Sequence, residues 1–339
     1  MYKELETLCS IPGISGREDK VRDCLITLIG QSAQCKVDPL GNLIVFKKGV
    51  ITPKNKVMLA AHMDEIGFMV TTITDDGYLK FSAVGGVDTR VMLGRPVIVG
   101  EKNLPGVIGI KPVHMVSDDE KADIPDQDSL YIDIGAKNRE EAEKVVSPGD
   151  AVGFYSHPVR FGEGRIKARA LDDRAGCLVL VNLIKSELPC DMHFVFTVQE
   201  EVGLRGAKTA AFSVAPDYAI VVETTTAADI AGVPKEKQVC KLDSGAVISF
   251  MDRSTVYNRK LYDLAFALAN KNNIKVQPKT AVAGGNDAGS IHTSRGGVRT
   301  LTVSLPCRYL HSPSCVIHEE DITQVQKIVL ALAEECANA

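Results

Sequence analysis

The hydrophobic period of this 339-residue chain changes twice, and those changes limit the fold more than any other feature of the sequence. Residues 1–32 carry two amphipathic helical stretches separated by SIPGISGRE, where Pro12, Gly13 and Gly16 break the first and Ser15 is predicted to cap the second. Apolar runs of strand length follow at about 42–46, 56–61 and 67–73, bounded by Gly, Pro and Asn. From about 68 to 162 helical patterning all but vanishes. This segment is rich in Val, Gly and Pro, with NREEAEKVV (138–146) its one helical candidate, so a small β-barrel or sandwich is expected. After 165 the chain alternates, with helices at 172–187, 203–213, 256–273 and 318–337 interleaved with strands at 192–200, 217–224 and 298–306. Such alternation builds an α/β layer structure with a mixed, largely parallel sheet flanked by helices. The expected organisation is a discontinuous α/β domain, 1–67 plus 163–339, interrupted by an all-β insert at 68–162.

Charge and composition narrow the partners. With 39 basic and 43 acidic side chains, a formal net charge of −4 and no Lys/Arg block, the chain lacks the concentrated basic surface that nucleic acid or an anionic membrane requires. Its longest apolar runs, such as VIVG (97–100) and CLVLVNLI (177–184), fall short of the ~18 consecutive apolar residues a membrane span needs. The charged start MYKELETLCS has no apolar leader pattern. Nine scattered cysteines without a CxxC suit reduced thiols acting as small buried hydrophobes. A cytoplasmic location is the expectation.

Five positions bearing an acid or a histidine fall just after a predicted strand or in the turn beyond it: His62, Asp172, Glu201, Glu223 and His311. Open α/β sheets place their ligand sites at that edge. In AHMDEIG, Asp64 is two residues past His62 and on the same side of an extended backbone, so it can accept the imidazole N–H and fix its tautomer. ALDDRAG (170–176) sets two carboxylates at the head of a helix, where a simple cap is the competing reading. VQEEVG (198–203) puts Glu200 and Glu201 side by side at the end of an apolar strand, an expensive arrangement unless a cation or proton sits between them. Two imidazoles and at least three carboxylates suit zinc or cobalt, with manganese also possible. His114, His157, His193 and His318 read as structural. In AGGNDAGSIH (283–292), Gly284 and Gly285 allow close backbone approach to a ligand and Asn286 or Asp287 can cap the next helix, so this loop is a candidate substrate wall, with His292 undecided.

Taken together, AHMDEIG, ALDDRAG, VQEEVGLRGA, VVETTTAAD, GGNDAGSIH and RYLHSP resemble the M42 family of dimetal aminopeptidases, often labelled glutamyl aminopeptidase or endoglucanase-like. The resemblance runs from IPGISGRE to the last helix. It implies a zinc-aminopeptidase-like fold and two divalent ions per subunit. Asp172 would bridge them, its peptide bond to Asp173 being cis; His62 and Glu223 would complete one site, Glu201 and His311 the other. Glu200 would be the general base and Asp64 the partner of His62. The family usually has Asp where this chain has Glu223. By the same resemblance the insert is PDZ-like and carries oligomer contacts, with dimers assembling into a tetrahedral dodecamer.

Two adjacent divalent ions acidify a water between them and polarise a carbonyl, and Glu200 would take the water proton and return it to the leaving amine. The substrates expected are short peptides with a free N-terminus. The alternatives are another dimetal amide hydrolase, such as a deacylase or carboxypeptidase; a glucanase, which needs two carboxylates and no metal; and a metal-holding assembly module, in which Glu200 would have no task.

Overall fold

The computed structural model describes residues 1–117 and 123–339. Helices α1 (Tyr2–Ser10) and α2 (Asp19–Ile29) lead into β1 (Gln34–Val37), β2 (Leu43–Lys47) and β3 (Val57–His62). Strands β4 (Gly67–Ile73), β5 (Leu79–Val84), β6 (Pro96–Val99), β7 (Leu104–Ile108), β8 (Ile132–Asp133) and β9 (Ala151–Phe154) come next, with α3 (Arg139–Glu143) between the last two. Then follow β10 (Val159–Phe161), β11 (Arg165–Ala168), α4 (Leu171–Lys185), β12 (Met192–Thr197), α5 (Arg205–Val214), β13 (Tyr218–Thr226) and β14 (Ala246–Ile248). The chain ends with α6 (Arg259–Asn272), β15 (Val276–Pro278), α7 (Ala288–Ile291), β16 (Arg299–Cys307), β17 (Cys315–His318) and α8 (Glu319–Asn338).

Among the described residues the largest sheet has eight strands in the order β1-β2-β12-β3-β13-β16-β14-β15. Its centre, β12-β3-β13-β16, is parallel, and antiparallel pairs flank it on both sides. The sheet is therefore mixed, with parallel pairing concentrated in the middle. Central β3 is buried at every residue, as the near-continuous apolar run VMLAA requires. Helices α1, α4, α8 and α6 pack in that series, α5 packs on α7, and both groups contact the sheet. Helix α4 crosses β3 and β13 and is buried along nearly its whole length, which accounts for its unbroken apolar run.

Strands β4 to β9 close into a barrel around a separate core in which the Phe68 ring meets Phe81 and Phe154 edge-on. Closure leaves no unpaired edges to manage. Strands β10, β11 and β17 form a separate antiparallel sheet in that order instead of joining the barrel. All nine cysteines are free and seven are buried, in keeping with their reading as small hydrophobes. Among the described residues no helix is long and apolar enough to cross a membrane.

Local expectations fail where a distant partner outbids a local one. Ser15 does not cap α2, whose N-cap is Glu18 without a side-chain bond; its hydroxyl donates to Asp64 Oδ2 at 2.6 Å. A fully buried carboxylate needs donors more than a helix end near solvent does. The strand expected at 192–200 stops at Thr197, because Gln199 turns into left-handed backbone at φ 55°. His318 is the N-cap of α8 and His193 stacks near Phe46, so both are structural.

Candidate metal centre and substrate cleft

Asp172 lies at the centre of the candidate site. Its Oδ1 is 3.3 Å from His62 Nε2, and Glu223 Oε1 is 3.4 Å from that same nitrogen. Its Oδ2 is 3.2 Å from His311 Nε2, which in turn is 3.3 Å from Glu201 Oε1. One carboxylate thus presents each of its oxygens to a different imidazole–carboxylate pair. The five residues expected from the sequence are brought together.

The fold explains why. His62 ends β3, and the β3–β13 pairing stops at Ala60 and Val221, so His62 and Glu223 each lie two residues past the last pair and come level with one another, although Glu223 is not at the end of β13. Glu201 lies in the turn after β12, and His311 in the loop from β16 to β17, at a left-handed φ of 57°. Asp172 and Asp173 depart from helical angles within the first turn of α4, and the peptide between them is cis, as the resemblance implies.

The Nδ1 atoms of both imidazoles face carbonyls. His62 Nδ1 is 3.1 Å from Asp64 O, and His311 Nδ1 is 2.9 Å from Gly86 O. A carbonyl only accepts, so each Nδ1 carries a hydrogen and each Nε2 is the nitrogen turned toward the carboxylates. The Asp64 carboxylate is farther from His62, at 3.5 Å. It accepts the backbone N–H groups of Glu200 and Glu201 at 3.0 and 3.1 Å, and so holds the turn that carries both glutamates. Asp64 therefore orients His62 through its main chain and the glutamates through its side chain.

The electrostatics show a site short of positive charge. Burial pushes the carboxyls of Glu200 and Glu201 above the usual range and that of Glu223 up to about 8. Burial disfavours charge on His311, yet the hydrogen bonds to Asp172 and Glu201 outweigh it and hold the imidazole at about 12. His62 is likewise held above its ordinary value against burial, chiefly by Glu223 and Asp172. Asp173 Oδ2 is buried with no hydrogen-bond donor. Two groups, His62 with Asp172 and Glu201, and His62 with Asp173 and Glu223, offer ligand atoms within 4.8 Å of one another. Carboxylates clustered tightly enough to hold two imidazoles protonated mark a place where divalent cations would supply the positive charge and take the Nε2 positions. The residues present fit such ions.

The centre opens into a cavity of about 450 Å³. Gly284, Gly285 and Asn286 line it, as expected of the substrate wall; Asp287 does not, being buried and accepting the Thr197 hydroxyl. Asn286 caps the start of α7 as expected, its Oδ1 accepting Ala288 N at 3.0 Å as well as the Thr302 hydroxyl, whereas Asp287 makes no side-chain cap bond. His292 is outside the cavity lining and its Nδ1 faces Ala288 O at 2.7 Å. Asp229, the nearest substitute for Glu223 in sequence, is held by Arg308 through two 2.7 Å bonds. The sequence reading missed Asp173 as a possible ligand, and also Thr224, Lys279 and Gly86. Asp173 had a signal in the paired carboxylates of ALDDRAG, and Gly86 in the adjacent glycines of VGGVD, where a Cβ on Gly85 would stand 3.2 Å from Glu201 Cβ.

Comparison with known proteins agrees with this architecture. The M42 glutamyl aminopeptidase family matches residues 41–328. The lysyl aminopeptidase of Pyrococcus furiosus is 34% identical, the match covering 98% of this chain and 97% of that protein. Among solved structures, the aminopeptidase APDkam598 of Desulfurococcus kamchatkensis superposes with a TM-score of 0.93 at 34% identity, covering 98% and 94% of the two chains. The TET1 peptidase of Pyrococcus horikoshii, which assembles into a tetrahedron or a large octahedral shell, has a TM-score of 0.87 at 38% identity, covering 98% of each. The fold and site define a peptide hydrolase of the α/β class. The chain belongs to the M42 peptidase family.

Proposed function

We propose that this protein is a dimetal-dependent aminopeptidase that removes N-terminal residues from short peptides, with Glu200 as general base. The observation that carries this reading is Asp172, whose two oxygens face two separate imidazole–carboxylate pairs. His62 and Glu223 would hold one ion, Glu201 and His311 the other, and Asp172 both; zinc, cobalt or manganese suits these donors. When bound, two such ions supply the positive charge that acidifies a water and polarises the scissile carbonyl.

The chain's own residues do the rest. Glu200 lines the cavity, is 9% exposed, and has a carboxyl whose affinity for a proton is raised by burial. It takes the proton from the attacking water and gives it to the leaving amine, so its charge is restored at the end of the cycle. The peptide's free α-amino group finds carboxylates near the centre, which favours cleavage from the N-terminus. Residues 1–67 and 163–339 would form the catalytic unit, and 68–162 a PDZ-like insert bearing oligomer contacts. The tetrahedral assembly of the TET1 peptidase supports a dodecamer built from dimers, working in the cytoplasm. A chelator should abolish hydrolysis of aminoacyl substrates, and zinc, cobalt or manganese should restore it. Full activity in metal-free protein would refute the reading.

A further inference from the structure

Glu200 depends on its backbone for its aim. It lines the cavity, and among the described residues no hydrogen-bond donor reaches its carboxyl. The neighbouring Glu201 carboxylate, by contrast, is tied to His311 at 3.3 Å. The direction of the proposed base is therefore set by the main chain around it, and that main chain has an unusual set of partners. Four consecutive N–H groups donate to side-chain oxygens: Val198 to Asn42 Oδ1 at 3.0 Å, Gln199 to Glu18 Oε1 at 3.0 Å, and Glu200 and Glu201 to the two oxygens of Asp64 at 3.0 and 3.1 Å. Most backbone donors in a protein pair with backbone carbonyls, so such a run is a built feature.

Glu18 holds the pivotal member of the run. Gln199 is in left-handed backbone at φ 55°, a conformation that a residue with a Cβ keeps only where its surroundings fix it. Glu18 is 5% exposed, and its Oε1 also accepts the Gly16 N–H at 2.8 Å. One oxygen thus joins the turn between α1 and α2 to the turn that carries both glutamates. Ser15, in the first of these turns, donates to Asp64 Oδ2, so residues 15–18 support the glutamate turn at Gln199 directly and at Glu201 through Asp64. Burial raises the Glu18 carboxyl to about 7 against the pull of its bonds from Gly16 and Gln199. A proton on Oε2 would leave Oε1 able to accept, so what Glu18 contributes is an acceptor at a fixed place and not a charge.

We propose that Glu18 is a positioning residue, which through the Gln199 N–H fixes the left-handed turn that points the Glu200 carboxyl at the attacking water. The inference rests on the aminopeptidase reading and adds to it a residue that does not line the cavity. Misplacing a reacting group by about 1 Å costs on the order of 100-fold in rate, whereas substrate binding depends on the cavity walls and is untouched.

The test separates reach from charge, in protein loaded with zinc or cobalt and assayed on whichever p-nitroanilide of Leu, Lys or Glu the wild type cleaves fastest. Glu18→Asp keeps the charge and withdraws the acceptor by a methylene; it should lower kcat roughly 10- to 100-fold and leave KM within about twofold. Glu18→Gln removes the charge and keeps an oxygen in place, so its kcat should stay within about threefold of wild type. Both should retain the wild-type metal content by elemental analysis, because Asp64 and His311 still hold Glu201. Wild-type kcat in Glu18→Asp overturns the proposal, as does a loss of metal that accounts for its fall. If Glu18→Asp does not fold, Glu18→Gln decides alone, since a loss of about tenfold or more in its kcat is incompatible with an acceptor role. An active wild type matched by Glu18→Asp leaves the aminopeptidase reading standing and removes only the task given to Glu18. A wild type that cleaves none of the three substrates overturns both.

Discussion

Glu200 and Glu223 carry the two most discriminating substitutions. Glu200→Gln should retain the metals, measured by elemental analysis, yet lose roughly 100- to 10,000-fold in turnover, because it removes the proton carrier and leaves the ligands in place. Metal loss in that variant would make Glu200 a ligand. Glu223→Ala should lose mainly one ion, the more weakly held, together with most activity, as titration of metal into apoprotein would reveal. Asp229 cannot substitute for it, because both of its oxygens are committed to Arg308. At this scale the sequence was informative where a costly residue had no structural excuse, as in the paired acids of VQEEVG. It was silent where the partner is a backbone atom or lies far along the chain: nothing local marks the Gly86 carbonyl, and Lys279 looks like any surface lysine until its burial is seen.

Among the elements, α4 is fastened by Arg174, which is fully buried. Its guanidinium donates to Met63 O at 2.8 Å, to Leu8 O at 2.6 Å and to Ile11 O at 3.1 Å, and lies 3.6 Å from Glu65, which also pairs with Arg169. One side chain therefore ties α4 to the end of α1 and to the turn after β3 that carries Asp64. Arg174→Leu should destabilise the fold by about 3–5 kcal/mol, the usual cost of removing one partner from a buried ionic network. A urea titration with an unchanged midpoint would refute this. The long helices and the central strands were legible because their apolar periods are regular. Strands β1 and β10, exposed at every residue, have no alternation to reveal them, and β14 and β15, each of three residues, are too short to show a period.

For the whole molecule, the expected assembly should be visible in solution. Val107, Ile110, Val113, Met115 and Ile124 are between 47% and 72% exposed, an unusual concentration of apolar surface in one stretch around the barrel. Light scattering should give a mass well above that of a dimer, and Val113→Glu with Met115→Glu should reduce it; a monomeric wild-type protein would count against the assembly. The separation into an alternating α/β part and an all-β stretch was readable from the change in period, whereas the contact between them was not. That contact bears on descent. The Gly86 carbonyl, just past the barrel strand β5, orients the His311 imidazole, so excising the barrel would let a proposed ligand turn freely. A lineage that exchanged or shed the barrel would need another acceptor for that ring, which ties the surface proposed to gather subunits to the pocket proposed to cut peptides.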